Sequence, residues 1–222
     1  MHLKTLLWKD FRHQTGFLVG AIVVLLIPYV IALGAYIANY FSDQRVAEGL
    51  RFYEGASIAD VMLASLLVAF FAGNAIAGER SDGSAEFFSY LPISKRASAL
   101  SKLIVSLGLV VIILTFCIAV PFMFWTSGSA SADRPNASEA RVFLATCAAM
   151  FGVAWCASSF VRSATYAAAT GLCVPIALGV TLALISDAGF PSAGELYWVL
   201  ASVLGVAGVI AGTTYYIQRV EP

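Results

Sequence analysis

Charged residues divide this chain into long uncharged intervals: Arg12 to Asp43, Asp60 to Glu79, Lys102 to Asp133, Arg141 to Arg162, Arg162 to Asp187, and Glu195 to Arg219. Each interval is apolar and holds the roughly 17–25 residues that cross a hydrocarbon core about 30 Å thick at a rise of about 1.5 Å per residue. Six spans follow, at about 15–40, 58–78, 102–126, 141–161, 163–185 and 196–217. The runs lack the period-two alternation of barrel strands, and lipid offers no partner to an unpaired backbone amide, so the spans are read as helices. The predicted fold is an all-α integral membrane protein, with residues 1–222 forming one transmembrane domain.

Basic residues set the expected direction. Lys4, Lys9, Arg12, Arg80, Lys95, Arg96, Lys102, Arg162 and Arg219 fall on one side, against Arg45, Arg51, Arg134 and Arg141 on the other. Cytoplasmic loops carry the excess of Lys and Arg, which predicts that both termini face the cytoplasm of a cell (inner) membrane. The connection between the fifth and sixth spans has only Asp187 and Glu195, which fits the exterior. The apolar stretch after residue 14 is too long for a signal-peptide core, so the first helix is expected to be retained.

Composition agrees with a lipid environment: 60% of residues are hydrophobic and 12% charged, against about 25% charged in ordinary soluble domains. Thirteen basic residues balance thirteen acidic ones, so no global field attracts nucleic acid. Cys117, Cys147, Cys156 and Cys173 lie in apolar runs without CxxC spacing or a companion histidine, and read as small packing residues. Small residues recur four apart at Gly16 and Gly20, Ala201 and Gly205, and Gly208 and Gly212, a spacing that lets helix backbones approach closely. Pro28, Pro121 and Pro175 lie inside spans and are read as packing bends.

The middle of every span reads as free of ionisable groups, which argues against proton coupling. The two histidines, His2 and His13, are both N-terminal, so no Ser–His or Cys–His pair forms at membrane depth. No GxxxxGK[ST] phosphate loop occurs, and no metal-ligand constellation appears. The chain is therefore read as non-catalytic and as binding no cofactor itself.

The most informative connection links the second and third spans, at 79–101. It reads Glu79-Arg80-Ser81-Asp82-Gly83-Ser84-Ala85-Glu86-Phe87-Phe88-Ser89-Tyr90-Leu91-Pro92-Ile93-Ser94-Lys95-Arg96. Asp82-Gly83 makes a turn, Ser84 to Leu91 suits a short helix, and Pro92 ends it. At 100° per residue Phe87, Phe88 and Leu91 share one face, with Glu86, Ser89 and Tyr90 opposite, as expected of a small amphipathic helix against the inner membrane surface. Ser94 is placed to cap the third span.

This wording, from Gly78-Glu79-Arg80 through Asp82-Gly83-Ser84 and Leu91-Pro92-Ile93-Ser94-Lys95-Arg96 to Ser101-Lys102, resembles the signature of type-2 ABC transporter permeases. The six spans extend the likeness over nearly the whole chain. The resemblance implies an exporter permease whose 79–101 loop carries a coupling helix held by a separate ABC-type ATPase. ATP and Mg would be bound by that partner. Glu79, Asp82, Gly83, Ser84, Glu86, Phe87, Phe88, Leu91 and Pro92 are then the coupling residues. It also implies an N-terminal elbow helix at about 2–14, with Leu3, Leu6, Leu7, Trp8 and Phe11 on its apolar side, although Lys4 and Asp10 intrude on that side. Two permease subunits, identical or related, would line the pathway. Its uncharged spans suit a hydrophobic or amphipathic substrate such as an antibiotic, peptide, lipid or haem. Two other readings stay open: a non-transporting scaffold or sensor subunit, and an ATP-independent carrier or channel.

Overall fold

The computed structural model describes residues 3–41, 47–81, 94–127, 137–187 and 193–219. Six helices account for nearly all of them: α1 (Leu3–Phe41), α2 (Ala47–Ser81), α3 (Lys95–Ser127), α4 (Ala137–Phe160), α5 (Ala164–Asp187) and α6 (Ala193–Arg219). All six are long and apolar enough to cross a membrane, and no strand occurs among the described residues. The protein is a multi-pass membrane protein.

Several helices overrun the expected spans. The segment expected as a separate elbow is the first part of α1, which continues without interruption for 39 residues. At about 1.5 Å per residue that is roughly 58 Å, nearly twice the hydrocarbon thickness, so its first turns project beyond the lipid. Helix α2 begins at Ala47 rather than near 58, and α3 at Lys95 rather than 102. Ser94 explains the second start: its hydroxyl accepts the amide hydrogen of Ala97 at 3.2 Å, an N-cap on the first turn of α3. Helices α1 and α5 run continuously through Pro28 and Pro175.

Helices α2 and α4 form the middle of the bundle, and their side-chain sizes explain it. On α2, Ala64, Ala69, Ala72 and Ala75 are buried, and a methyl added at Gly73 would lie 2.7 Å from the Ala168 backbone of α5. On α4, Ala145, Ala149 and Ala154 are buried, and a methyl at Gly171 of α5 would meet the Ala154 side chain at 2.5 Å. Small side chains matter here because lipid supplies no hydrophobic drive between helices, leaving close van der Waals contact to hold them. The tightest seam joins α4 to α6: Gly205 sits against Ala148, with 2.5 Å from its would-be methyl to that carbonyl oxygen, while Gly208 rests on Gly152 and Gly212 on Cys156. Gly16 and Gly20 of α1, by contrast, face open space.

Two apolar clusters fill the interior. Leu25, Phe71, Leu109 and Ile113 join α1, α2 and α3. Val68, Ile76, Met150, Phe151 and Trp155 join α2 to α4, with Phe151 and Trp155 stacked at 6.1 Å. Outward positions carry branched aliphatics such as Val23, Val30, Ile31, Val203 and Ile210, as a lipid-facing surface requires. All four cysteines are free thiols; Cys117 and Cys147 are buried, whereas Cys173 is exposed.

Candidate functional site

The C-terminal end of α2 leads into residues 82–93, and the polar chemistry of the bundle is concentrated there. Glu79 stands in the last turn of α2. The Lys9 ammonium of α1 donates to Glu79 Oε1 at 3.1 Å, and the Lys102 ammonium of α3 pairs with the same oxygen. Lys9 also reaches Asp10 Oδ1 at 3.1 Å, while the Ser101 hydroxyl donates to Asp10 Oδ2 at 2.6 Å. Two ammoniums thus face two carboxylates. The cluster is neutral in sum, which is what permits its burial: Lys102 is 3% exposed and Asp10 6%.

Burial on α1 explains the charges that intrude on the expected elbow face. The inward stripe is Leu6, Asp10 and Gln14, each one helical turn from the next, continuing through Ala21, Leu25, Tyr29 and Ala32. Trp8 is 65% exposed and Phe11 40%, so the aromatic side of this segment faces away from the bundle. Asp10 interrupts the apolar pattern because it answers Lys9 and Ser101, not because the pattern is poor.

Arg80, the next residue, ties the same end to the other half of the bundle. Its guanidinium donates to the Ser159 carbonyl at 2.7 Å. That carbonyl lies in the last turn of α4, where backbone acceptors lack helical partners and the helix dipole favours a cation. The Ser159 hydroxyl in turn donates to the Gly212 carbonyl of α6 at 3.0 Å, and Trp155 Nε1 donates to Thr213 Oγ1 at 3.1 Å. Ser98 and Tyr216 share a hydrogen bond between α3 and α6 at 3.4 Å. A belt of polar contacts therefore links α1, α2, α3, α4 and α6 at the end of the bundle where α2 finishes.

Of the residues singled out from sequence, Glu79 lies in this cluster; Asp82, Gly83, Ser84, Glu86, Phe87, Phe88, Leu91 and Pro92 lie outside the described residues, as does the expected coupling helix. The sequence counts Lys9 and Lys102 only among the basic residues of the cytoplasmic side and does not reveal that both are Glu79 partners. The signal was present in Asp10, a carboxylate on an otherwise apolar stripe.

A second polar group lies near the other end of the α2 span, outside the span middles that the sequence reads as free of ionisable residues. Asp60 of α2 is fully buried, and Tyr29 of α1 donates its hydroxyl to Asp60 Oδ2 at 3.2 Å. Because Asp60 stands at the start of an apolar run, the sequence left it as a boundary; its helix begins at Ala47 and carries it into the bundle. No group of three or more His, Cys, Asp or Glu suited to a metal occurs among the described residues.

No curated protein and no solved structure matches the chain. A family model described as ABC-2 family transporter protein matches residues 5–186, from the first turn of α1 to the end of α5. That stretch contains the Lys9–Glu79–Lys102 cluster, the Arg80 contact and the whole 79–101 connection. With six membrane-crossing helices and a match over most of its length, the chain belongs to the ABC-2 transporter family.

Proposed function

We propose that this chain is the permease subunit of an ATP-binding-cassette exporter, in which a separate ATPase binds ATP and Mg and grips residues 82–93. Members of the family generally work with such a partner and are themselves non-catalytic membrane subunits. The observation that carries the reading is the double anchorage at the root of the loop, Glu79 to Lys9 and Lys102 and Arg80 to Ser159. A loop that only connected two spans would need no such fixture, whereas a lever must be rigidly joined to what it moves. ATP-driven closure of the ATPases would push the loop, and the polar belt would distribute that push, biasing the helices between inward- and outward-facing packings.

The cargo is hydrophobic or amphipathic in this reading, the pathway forms between two permease subunits, and the Glu79 end with both termini faces the cytoplasm of the inner membrane. Crosslinking tests it: a cysteine introduced by Ser89→Cys should bond to a cysteine in the candidate ATPase, and Glu86→Lys should leave hydrolysis running while export stops. Normal export by the Glu86→Lys protein would overturn the coupling role of the loop.

A further inference from the structure

The geometry points to Asp60 as a binding site for an organic ammonium, the charged end of an amphipathic molecule whose body is apolar. The carboxylate is fully buried between α1, α2 and α3, Oδ2 accepts the Tyr29 hydroxyl, and Oδ1 has no hydrogen-bond partner among the described residues. No Lys, Arg or His among the described residues pairs with it. A carboxyl group taken out of water with an open acceptor is costly, and in a membrane span such a group marks a binding site.

The surroundings select the kind of visitor. Tyr29, whose hydroxyl meets Asp60, packs with the small buried Ala32 and Ala56, and the Cys117 thiol reaches the carboxylate from α3. One carboxylate with one phenol and one thiol is a poor donor set for a hard cation such as calcium or magnesium, which takes six or more oxygens, or an octahedron completed by water. A single negative charge with an open acceptor next to small apolar side chains instead matches one alkylammonium, through a charge-assisted hydrogen bond.

Position adds to the case. Asp60 lies nineteen residues before Glu79 on the same helix, about 28 Å along its axis, at the opposite end of the hydrocarbon core. The three helices that surround it are the three that the Glu79 cluster joins at the other end. Resting on the export reading above, the inference is that a change in the packing of α1, α2 and α3 opens and closes this carboxylate, so that it receives the ammonium of a cargo molecule or of a lipid headgroup.

The test uses the full chain alone in phosphatidylglycerol nanodiscs, with no ATPase, so that failure of the coupling reading leaves the result intact. A photoreactive alkylammonium and the alcohol of identical chain are compared, and labelled positions are mapped by mass spectrometry. Saturable labelling around Tyr29, Asp60 or Cys117 by the ammonium, at least about tenfold tighter than by the alcohol and lost in Asp60→Asn, supports the site. Equal labelling by both probes, labelling only elsewhere, or unchanged labelling in Asp60→Asn overturns it. Should Asp60→Asn fail to insert, the comparison of the two probes on the unaltered chain decides. Adding phosphatidylethanolamine separates the sources: if it displaces the probe, the headgroup is the occupant, and if the probe persists, the site takes free amphiphiles; both keep the ammonium site.

Discussion

Lys102 and Glu79 form a buried ion pair that closes the connection between α2 and α3 at its base. Lys9 approaches the same carboxylate oxygen from α1, so a single oxygen atom is where three helices meet. Removing one partner of a buried pair leaves the other charge uncompensated, which costs about 3–5 kcal/mol. Lys102→Met should therefore destabilise the folded chain by about that amount, read from reversible unfolding in mixed micelles. The double variant Lys102→Met with Glu79→Gln should recover part of the loss; a double variant as unstable as the sum of the two single ones would refute the pairing.

Arg80 should matter more for transmission than for folding. Its contact with the Ser159 carbonyl is part-buried, and the α4 end retains other hydrogen bonds, among them Ser158 to Trp155. Arg80→Ala is expected to insert and fold normally, with a thermal midpoint close to that of the unaltered chain. Export per ATP hydrolysed should fall by roughly tenfold, the effect of about 1.4 kcal/mol lost from the coupled state. Unchanged export would mean that α4 is not driven through this contact.

The α4–α6 seam makes a sharp contrast among glycines. A methyl at Gly208 would run into the Gly152 backbone, and one at Gly205 would lie 2.5 Å from the Ala148 carbonyl oxygen, whereas a methyl at Gly20 meets nothing within 4 Å. Gly208→Ala should cost about 1–3 kcal/mol by overpacking. Gly20→Ala should leave the fold of the single chain intact within about 0.5 kcal/mol. Denaturant titration of both variants checks the difference, and equal losses would contradict the packing.

Trp155 is buried, stacked on Phe151, and donates its indole N–H to Thr213. Thr213→Val keeps the side-chain shape and orphans that donor, so a loss of about 1–3 kcal/mol is expected, with a change in Trp155 emission. A neutral result would remove this link between α4 and α6.

Direction is testable without cargo. Ser94, the exposed N-cap of α3, should be labelled as Ser94→Cys by an impermeant maleimide only from the cytoplasmic side of inverted vesicles. Labelling from the periplasmic side, in right-side-out vesicles, would reverse the topology and with it the coupling assignment.

How much of this was legible beforehand varies from residue to residue, for identifiable reasons. The intervals bounded by Lys102, Arg162 and Glu195 gave the six helices directly, because lipid permits only long apolar helices and admits few charges. Ser94 announced its own cap, since N-capping depends on a residue and the three after it. Asp10, Lys9 and Lys102 each stand out as single charges in their own segments; their convergence on one cluster with Glu79 requires three helices to be laid side by side. Asp60 looked like a border between loop and span because nothing local shows that α2 begins at Ala47. The glycines of α1 and α6 share one spacing, yet only those of α6 are enclosed.

The amino-acid order alone determined the all-helical membrane fold, the six crossings and the family resemblance, because each follows from solvation of the backbone and from wording confined to short stretches. Tertiary structure alone decided which charges are partners, which small residues are contacts and which carboxylate is buried without a cation among the described residues. Those properties depend on the rotation and neighbours of each helix, and a helix with a thick apolar surface carries little in its own sequence to tell a lipid-facing side from one that faces protein.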